Sequence, residues 1–465
     1  MTPEPVASRS RRRWLIAAAI LSVVAAMVAL AVWWVRDGNA AIARQSWQPP
    51  PSPVLSSPMR VQPVAGWRAN VTDLGLPGPF DGTEPTRIGN LNDPVRSRPL
   101  IGNGGDHAYF LASTPATPGP QWWVIGIDVR TGQRLFAPVK LDTTSRPPQC
   151  FLNGPTNVLC LNGDSSQTAY VVEIPSGAVS YNGPTDLRLG FATLAVEQVG
   201  IYAVAKTDGQ GIYGIGPRAE TTWFVPGNGR LQSGTPHQFD TAPQTLGAQL
   251  SADPRAYEMT VFSLSDGKVV KPDVDDDAHL GETAVYAGGF AAEVVVDRKS
   301  LGIQFFDDRG ERLGGRSVDG LLQGLVGMPI VASGGQPAIY SPDGRKLMDL
   351  PGGAIHLVGT TLFVNENNSE AFPMWRQYDL KTGTKGPACD FDMSKFLGTN
   401  GSAIVFEVAN PQAGLVAKAR DLATCDTLWT LPSRVDSFAQ VWRVNTTLVQ
   451  LSDDGTELFS LVAPR

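Results

Sequence analysis

The chain has 465 residues, 42% of them hydrophobic and 18% charged, with 49 Gly and 37 Pro and a formal charge of −6. A chain of this composition buries a large core, so wholesale disorder is excluded. The excess of acid also excludes a general nucleic-acid binder, which needs a basic footprint.

In chain order, residues 1–13 form a basic tail that carries Arg9, Arg11, Arg12 and Arg13. Residues 14–35 (WLIAAAILSVVAAMVALAVWWV) contain no charged side chain. At 1.5 Å per residue a helix of this length reaches roughly 33 Å, enough to cross a hydrocarbon layer of roughly 30 Å. Trp14, Trp33 and Trp34 stand at its two ends, where aromatic side chains suit the headgroup boundaries. With only Arg36 after the run, the charge asymmetry predicts a cytoplasmic N-terminus and an extracytoplasmic remainder. The run is longer than the apolar region of a cleaved signal peptide, about 7–15 residues, so the length favours a single-pass anchor.

Residues 36–60 are rich in Pro and read as a semi-rigid linker off the membrane. Beyond residue 36 the chain has 33 basic and 43 acidic side chains, a net −10, which disfavours adsorption to an anionic membrane surface.

From residue 61 to 465, short alternating apolar and polar runs are broken by Gly, Asp, Asn and Pro every 8 to 12 positions. That rhythm predicts strands and turns rather than helices. One unit recurs: an alternating strand, a turn of Asp, Ser or Thr followed by Gly, then a short strand. Copies are WVIGIDVRTGQRLF (123–136), AYVVEIPSGAVSY (169–181), MTVFSLSDGKVV (259–270), IQFFDDRGERL (303–313), AIYSPDGRKLM (338–348), RQYDLKTGTKG (376–386) and AKARDLATCDTLW (417–429). Their turn positions are Gly132, Gly177, Gly267, Gly310, Gly344, Gly383 and Cys425, and a degenerate copy at 211–224 fills the one double gap. Glycine there supplies the positive φ that a tight hairpin requires. A sustained period near forty residues predicts an all-β fold: a β-propeller of about eight four-stranded blades, with seven or nine possible. A sandwich would instead give unequal strand groups in units of ~100 residues. The last segment (446–464) supplies two strands around an Asp-Asp-Gly turn and lacks an outer strand, whereas 64–76, with Trp67, is a strand without a hairpin partner. Pairing the two would close the ring and remove two open edges.

The copies IDVRTGQRLF and YDLKTG resemble the pyrroloquinoline-quinone-type β-propeller repeat. That family includes quinone-dependent alcohol dehydrogenases and the lipoprotein propeller of the outer-membrane β-barrel assembly machinery. The resemblance implies a propeller closer to the assembly-factor kind, with Trp223 and Trp429 as blade-docking aromatics. Quinone-dependent members hold their cofactor against two adjacent cysteines. None of Cys150, Cys160, Cys389 and Cys425 is adjacent to another, so no cofactor is expected.

An oxidising compartment makes disulfides the default for these four. Folding 150–160 as a hairpin about Gly154-Pro155-Thr156 sets Cys150 opposite Cys160, within disulfide reach. Cys389 with Cys425 follows by elimination and would join neighbouring blades; the alternative is two buried free thiols. The acidic run with Asp273, Asp275 and Asp277 is a weak metal candidate, because a calcium loop of that kind wants Gly and Glu where Ala278 and Ala284 stand. His107, His237, His279 and His356 are dispersed over different repeats and lack zinc-ligand spacing. The glycines of residues 102–106 read as a turn, and no nucleophile elbow, phosphate loop or zinc-protease motif is present. The expectation is a membrane-anchored, non-enzymatic propeller that binds an envelope protein or glycan and no nucleic acid; the alternative is an envelope enzyme using the central funnel.

Overall fold

The computed structural model describes residues 39–49, 54–78, 84–93, 98–143, 147–162, 167–190, 193–232, 244–253, 256–325, 327–367, 373–408 and 413–464. The apolar run 14–35 and His237 lie outside these residues. No described helix is long and apolar enough to cross a membrane.

Nine antiparallel sheets are described, as blades 1 to 9 in chain order, within the expected range of seven to nine. The degenerate repeat is a complete blade 3 of four strands, Ala195–Val199, Tyr202–Thr207, Gly211–Ile215 and Thr221–Pro226. Blade 4 has two described strands, Leu246–Leu250 and Met259–Ser263, with a bridge from Phe262 to Val269. In blade 1, Arg87–Ile88 and Leu100–Gly104 share the inner edge of His107–Thr114.

The strands of a blade, called a to d here, run outward from the axis. Strand a of one blade meets strand a of the next, as Leu100–Gly104 meets Gln149–Leu152 and Phe396–Thr399 meets Gln440–Val444. Alternation weakens on the inner strands because both faces of each blade are buried against its neighbours. Strands such as Phe290 to Val294 are therefore nearly continuous apolar runs. Nine apolar clusters fill the described seams between consecutive blades. One of them joins blade 9 (Val444, Val449, Leu451) to blade 1 (Phe110, Ile125, Ile127) and so closes the ring.

Closure uses both ends of the chain, as the sequence predicts. Val64–Asn70 is strand d of blade 9 and pairs antiparallel with Glu457–Val462, from Val64 opposite Val462 to Asn70 opposite Glu457. Every turn residue of the repeat adopts positive φ, from Gly177 at 70° to Gly310 at 87°. Cys425 does so at 65°, without a glycine's freedom.

In a blade ordered a to d, the a–b and c–d turns lie on one face of the ring, called the odd face here. The b–c turns and the blade-to-blade connections lie on the other, the even face.

Candidate functional site

The linker reading of residues 36–60 needs correction over the described residues. Residues 39–46 are helical, and Ala43 and Trp47, each 4% exposed, enter the apolar seam between blades 6 and 7. Blade 6 carries no aromatic on its outer strand Lys346–Asp349, so the N-terminal helix fills the seam instead. The Arg44 guanidinium lies on the turn glycine Gly383 and donates to Leu347 O at 2.9 Å. Arg345 donates to Ser46 Oγ at 3.0 Å, and the Lys381 ammonium bonds Trp47 O and sits over its indole.

The strap continues across blades 8 and 9. Leu55 N donates to Thr399 O, Ser56 N to Thr446 O, and the Trp429 indole to Met59 O. Leu55 and Met59 are buried in the seam of blades 8 and 9. Arg60 pairs with the buried carboxylate of Asp421 at 2.5 Å. Backbone amides of Ala423 and Thr424, and then Arg60, hold Asp421 below the usual carboxylate range. Thr399, Thr446, Asp421 and Lys381 all stand at a–b or c–d turns, so Trp47 and the described residues 54–60 lie on the odd face, over blades 7 to 9. Pro49 and Pro58 stiffen the described part of this path, but its apolar residues dock it. The signal was present as Ala43 and Trp47, four apart on one helix face.

The expected docking aromatics find partners of two kinds. Trp223 lies over Gly267 of the next blade, where an added Cβ would meet the ring at 2.6 Å. Trp429 docks the strap. Trp67, noted only as part of an unpaired strand, covers Gly132 of blade 1 in the same manner as Trp223.

The four cysteines form two disulfides. Cys150 and Cys160 face each other in register with Cα atoms 4.0 Å apart. Cys389, ending strand d of blade 7, is joined to Cys425 in the c–d turn of blade 8, with Cα atoms 5.5 Å apart. Asp273, Asp275 and Asp277 are exposed on the connection from blade 4 to blade 5, where Lys271 lies 3.6 Å from Asp276. Among the described residues no group of three or more His, Cys, Asp and Glu side chains is placed to hold a metal. Residues 102–104 belong to strand Leu100–Gly104, so only Gly105 and Asp106 make the turn read from that glycine run.

Two polar clusters stand near the even face of blade 7. Glu366 accepts from Tyr378 at 2.6 Å and from Arg376 at 2.8 Å, with Lys385 at 3.4 Å. These bonds, Tyr378 first, hold its carboxyl down at about 2. His356 is at the inner end of blade 7, edge-on to the Phe396 ring of blade 8, over which Arg443 of blade 9 is placed. Burial, and then the Arg443 charge, press the His356 imidazole down to about 4, so it stays neutral at physiological pH. Both arrangements join neighbouring strands and blades.

Residues 39–464 match the model of a conjugation-associated 9-bladed β-propeller domain. The chain belongs to that family. The match begins at the strap helix, so the strap is part of the propeller domain. An uncharacterized protein of Mycolicibacterium smegmatis (strain MKD8) is 37% identical over 479 residues, covering 98% of this chain and 97% of its own length. Solved structures similar to the chain include BamB from Moraxella catarrhalis, 12% identical over 86% of this chain and 97% of its own, with a TM-score of 0.28. The computationally designed Ika8 protein is 13% identical over 71% of this chain and 100% of its own, with a TM-score of 0.36.

Proposed function

We propose that this conjugation-associated propeller is a single-pass membrane protein whose extracytoplasmic ring binds a protein or glycan of the cell envelope, as a scaffold rather than an enzyme. The family description supports a place in the apparatus of conjugation. The likeness of its IDVRTG-type turns to quinone-type repeats supports a kinship with assembly-factor propellers. Two disulfides suit an oxidising compartment outside the cytoplasm. The observation that carries the reading most is the strap: an anchored chain that docks at once on the rim makes the propeller a fixed platform rather than a ball on a string.

Crosslinking in living cells, followed by affinity purification of the full chain, tests this. The expected capture is an envelope component of the conjugation machinery, together with reduced conjugal transfer when the gene is removed. A reporter fused after Arg465 should be active outside the cytoplasm. A reporter active only inside, or an ectodomain that captures cytoplasmic proteins alone, overturns the proposal.

A further inference from the structure

The strap helix has a direction that decides how the ring sits. Ser46 is beside Arg345, at the c–d turn of blade 6, and Arg44 is beside Leu347. Toward its N-terminus the helix therefore runs along strand Lys346–Asp349 toward Asp349, which is the even end of that strand. A cleft of about 650 Å³ between helix and blade follows the same path, lined by Asn39 and Ile42 on one side and Ser333, Gln336 and Asp349 on the other. Ser333 and Gln336 bound the b–c turn of blade 6, on the even face. The chain thus enters the structure at the even face of blade 6 and crosses to the odd face by Trp47.

Three residues, 36–38, separate Asn39 from the last residue of the uncharged run 14–35. Four Cα steps reach at most roughly 14 Å. Asn39, across the cleft from the even end of blade 6, can stand no further than that from the boundary of a bilayer containing the run.

The surface at that end has matching chemistry. Leu321, 63% exposed, opens blade 6, and Leu301, 44% exposed, stands at the even end of blade 5. Leu301 lies two residues beyond Ile303, whose partner Val318 leads through Asp319 and Gly320 into Leu321, so the register puts both leucines at one end. Exposed Asp297 and Arg298 form the adjacent b–c turn, and exposed Lys299 opens the strand that follows. Met374, 38% exposed, stands at the corresponding end of blade 7, and Ile42 projects from the helix. Apolar side chains can dip into a headgroup layer while Arg298 and Lys299 meet phosphate, and the exposed carboxylates of Asp297, Asp319 and Asp349 keep this surface from binding by charge alone. The net −10 of the outer chain disfavours electrostatic adsorption, so the tether holds the contact and the patch orients it.

We propose that the even face at blades 5 to 7 rests on the headgroup layer of the membrane the chain is anchored in, so that the odd face is turned away from the lipid and is the face offered to a partner. This rests on the anchor proposed above.

The test places a photo-reactive phenylalanine analogue at Leu321 or Met374 on the even face, and at Thr131 or Ser176 on the odd face. The full-length protein is irradiated in its own membrane. Because the faces are separated by a strand length of roughly 20 Å, on the order of ten-fold more phospholipid adduct is expected at Leu321 and Met374 than at Thr131 and Ser176. Two positions per face keep the result readable if one substitution impairs folding. Equal adducts on the two faces, or the reverse preference, in protein that resists carbonate extraction would overturn the orientation and leave the anchor standing. Release of the unmodified protein by carbonate would overturn the anchor and the orientation together.

Discussion

The Trp67 indole donates to the main-chain oxygen of Val129 at 2.6 Å, across the seam where the last blade meets the first. Trp67 also covers Gly132, so one side chain of the first strand ties both ends of the chain to blade 1. Val129 and Gly132 belong to the clearest repeat, and the missing side chain of Gly132 leaves room for the ring, which an added Cβ would meet at 2.5 Å.

Trp67→Ala should therefore lower stability by about 3 kcal/mol, the lower end for a large aromatic truncation because Trp67 is half-buried. Deleting residues 61–76 from a soluble ectodomain should do more: broaden the thermal transition and promote self-association through two exposed strand edges. Calorimetry with light scattering checks both. A monomeric, undiminished transition after the deletion contradicts closure by this strand.

The two disulfides should differ in their contribution. They span sequence separations of 10 and 36 residues. Loop entropy gives about 2.8 kcal/mol for the first and about 3.8 kcal/mol for the second. Replacing Cys389 and Cys425 by Ser should thus cost more than replacing Cys150 and Cys160. Cys425 has a second term, its φ of 65°. The pair Cys389→Ser with Cys425→Gly should recover about 1 kcal/mol relative to the double Ser variant, because glycine accepts that conformation freely. Denaturant melts of the three double variants decide it.

His356 predicts a pH dependence with a definite sign. Its folded value is about 4, against about 6.5 in an unfolded chain. Between these values the unfolded state binds the extra proton, so its contribution is complete above pH 6.5 and is lost as pH falls toward 4. The loss amounts to at most about 3 kcal/mol. Thermal midpoints from pH 7 to pH 4.5 should fall less steeply for His356→Gln than for the native protein. Parallel curves would mean that His356 titrates freely.

Trp47→Ala should release the strap before it harms the ring. The indole fills the seam of blades 6 and 7, yet the ring is closed by Val64–Asn70 without it. Limited proteolysis should cut within residues 48–60 much faster in the variant, while residues 64–464 stay resistant. Unchanged cleavage rates would show that Leu55, Met59 and the Arg60–Asp421 pair suffice to hold the segment.

A great deal of this molecule follows from local chemistry. The spacing of Gly132, Gly177, Gly267, Gly310, Gly344 and Gly383 reports the blades, because only residues tolerant of positive φ close these turns. The hairpin symmetry about Pro155 predicts the Cys150–Cys160 pair for the same reason: register follows from the turn. Even closure was legible, since one strand lacked a partner at each end.

Other features needed the tertiary structure. Blade 3 turns on Ala219, at φ 54°, rather than on a glycine, and so reads as a weak repeat although its four strands pair fully. The strap read as a linker because Pro-rich composition describes backbone stiffness and says nothing of where Ala43, Trp47, Leu55 and Met59 are buried. Their partners lie some 300 to 400 residues away, in seams that exist only once the ring has closed. Local sequence specifies turns and strands through φ and alternation. Which face the N-terminal chain crosses is decided by packing between blades, a property of the assembled ring alone.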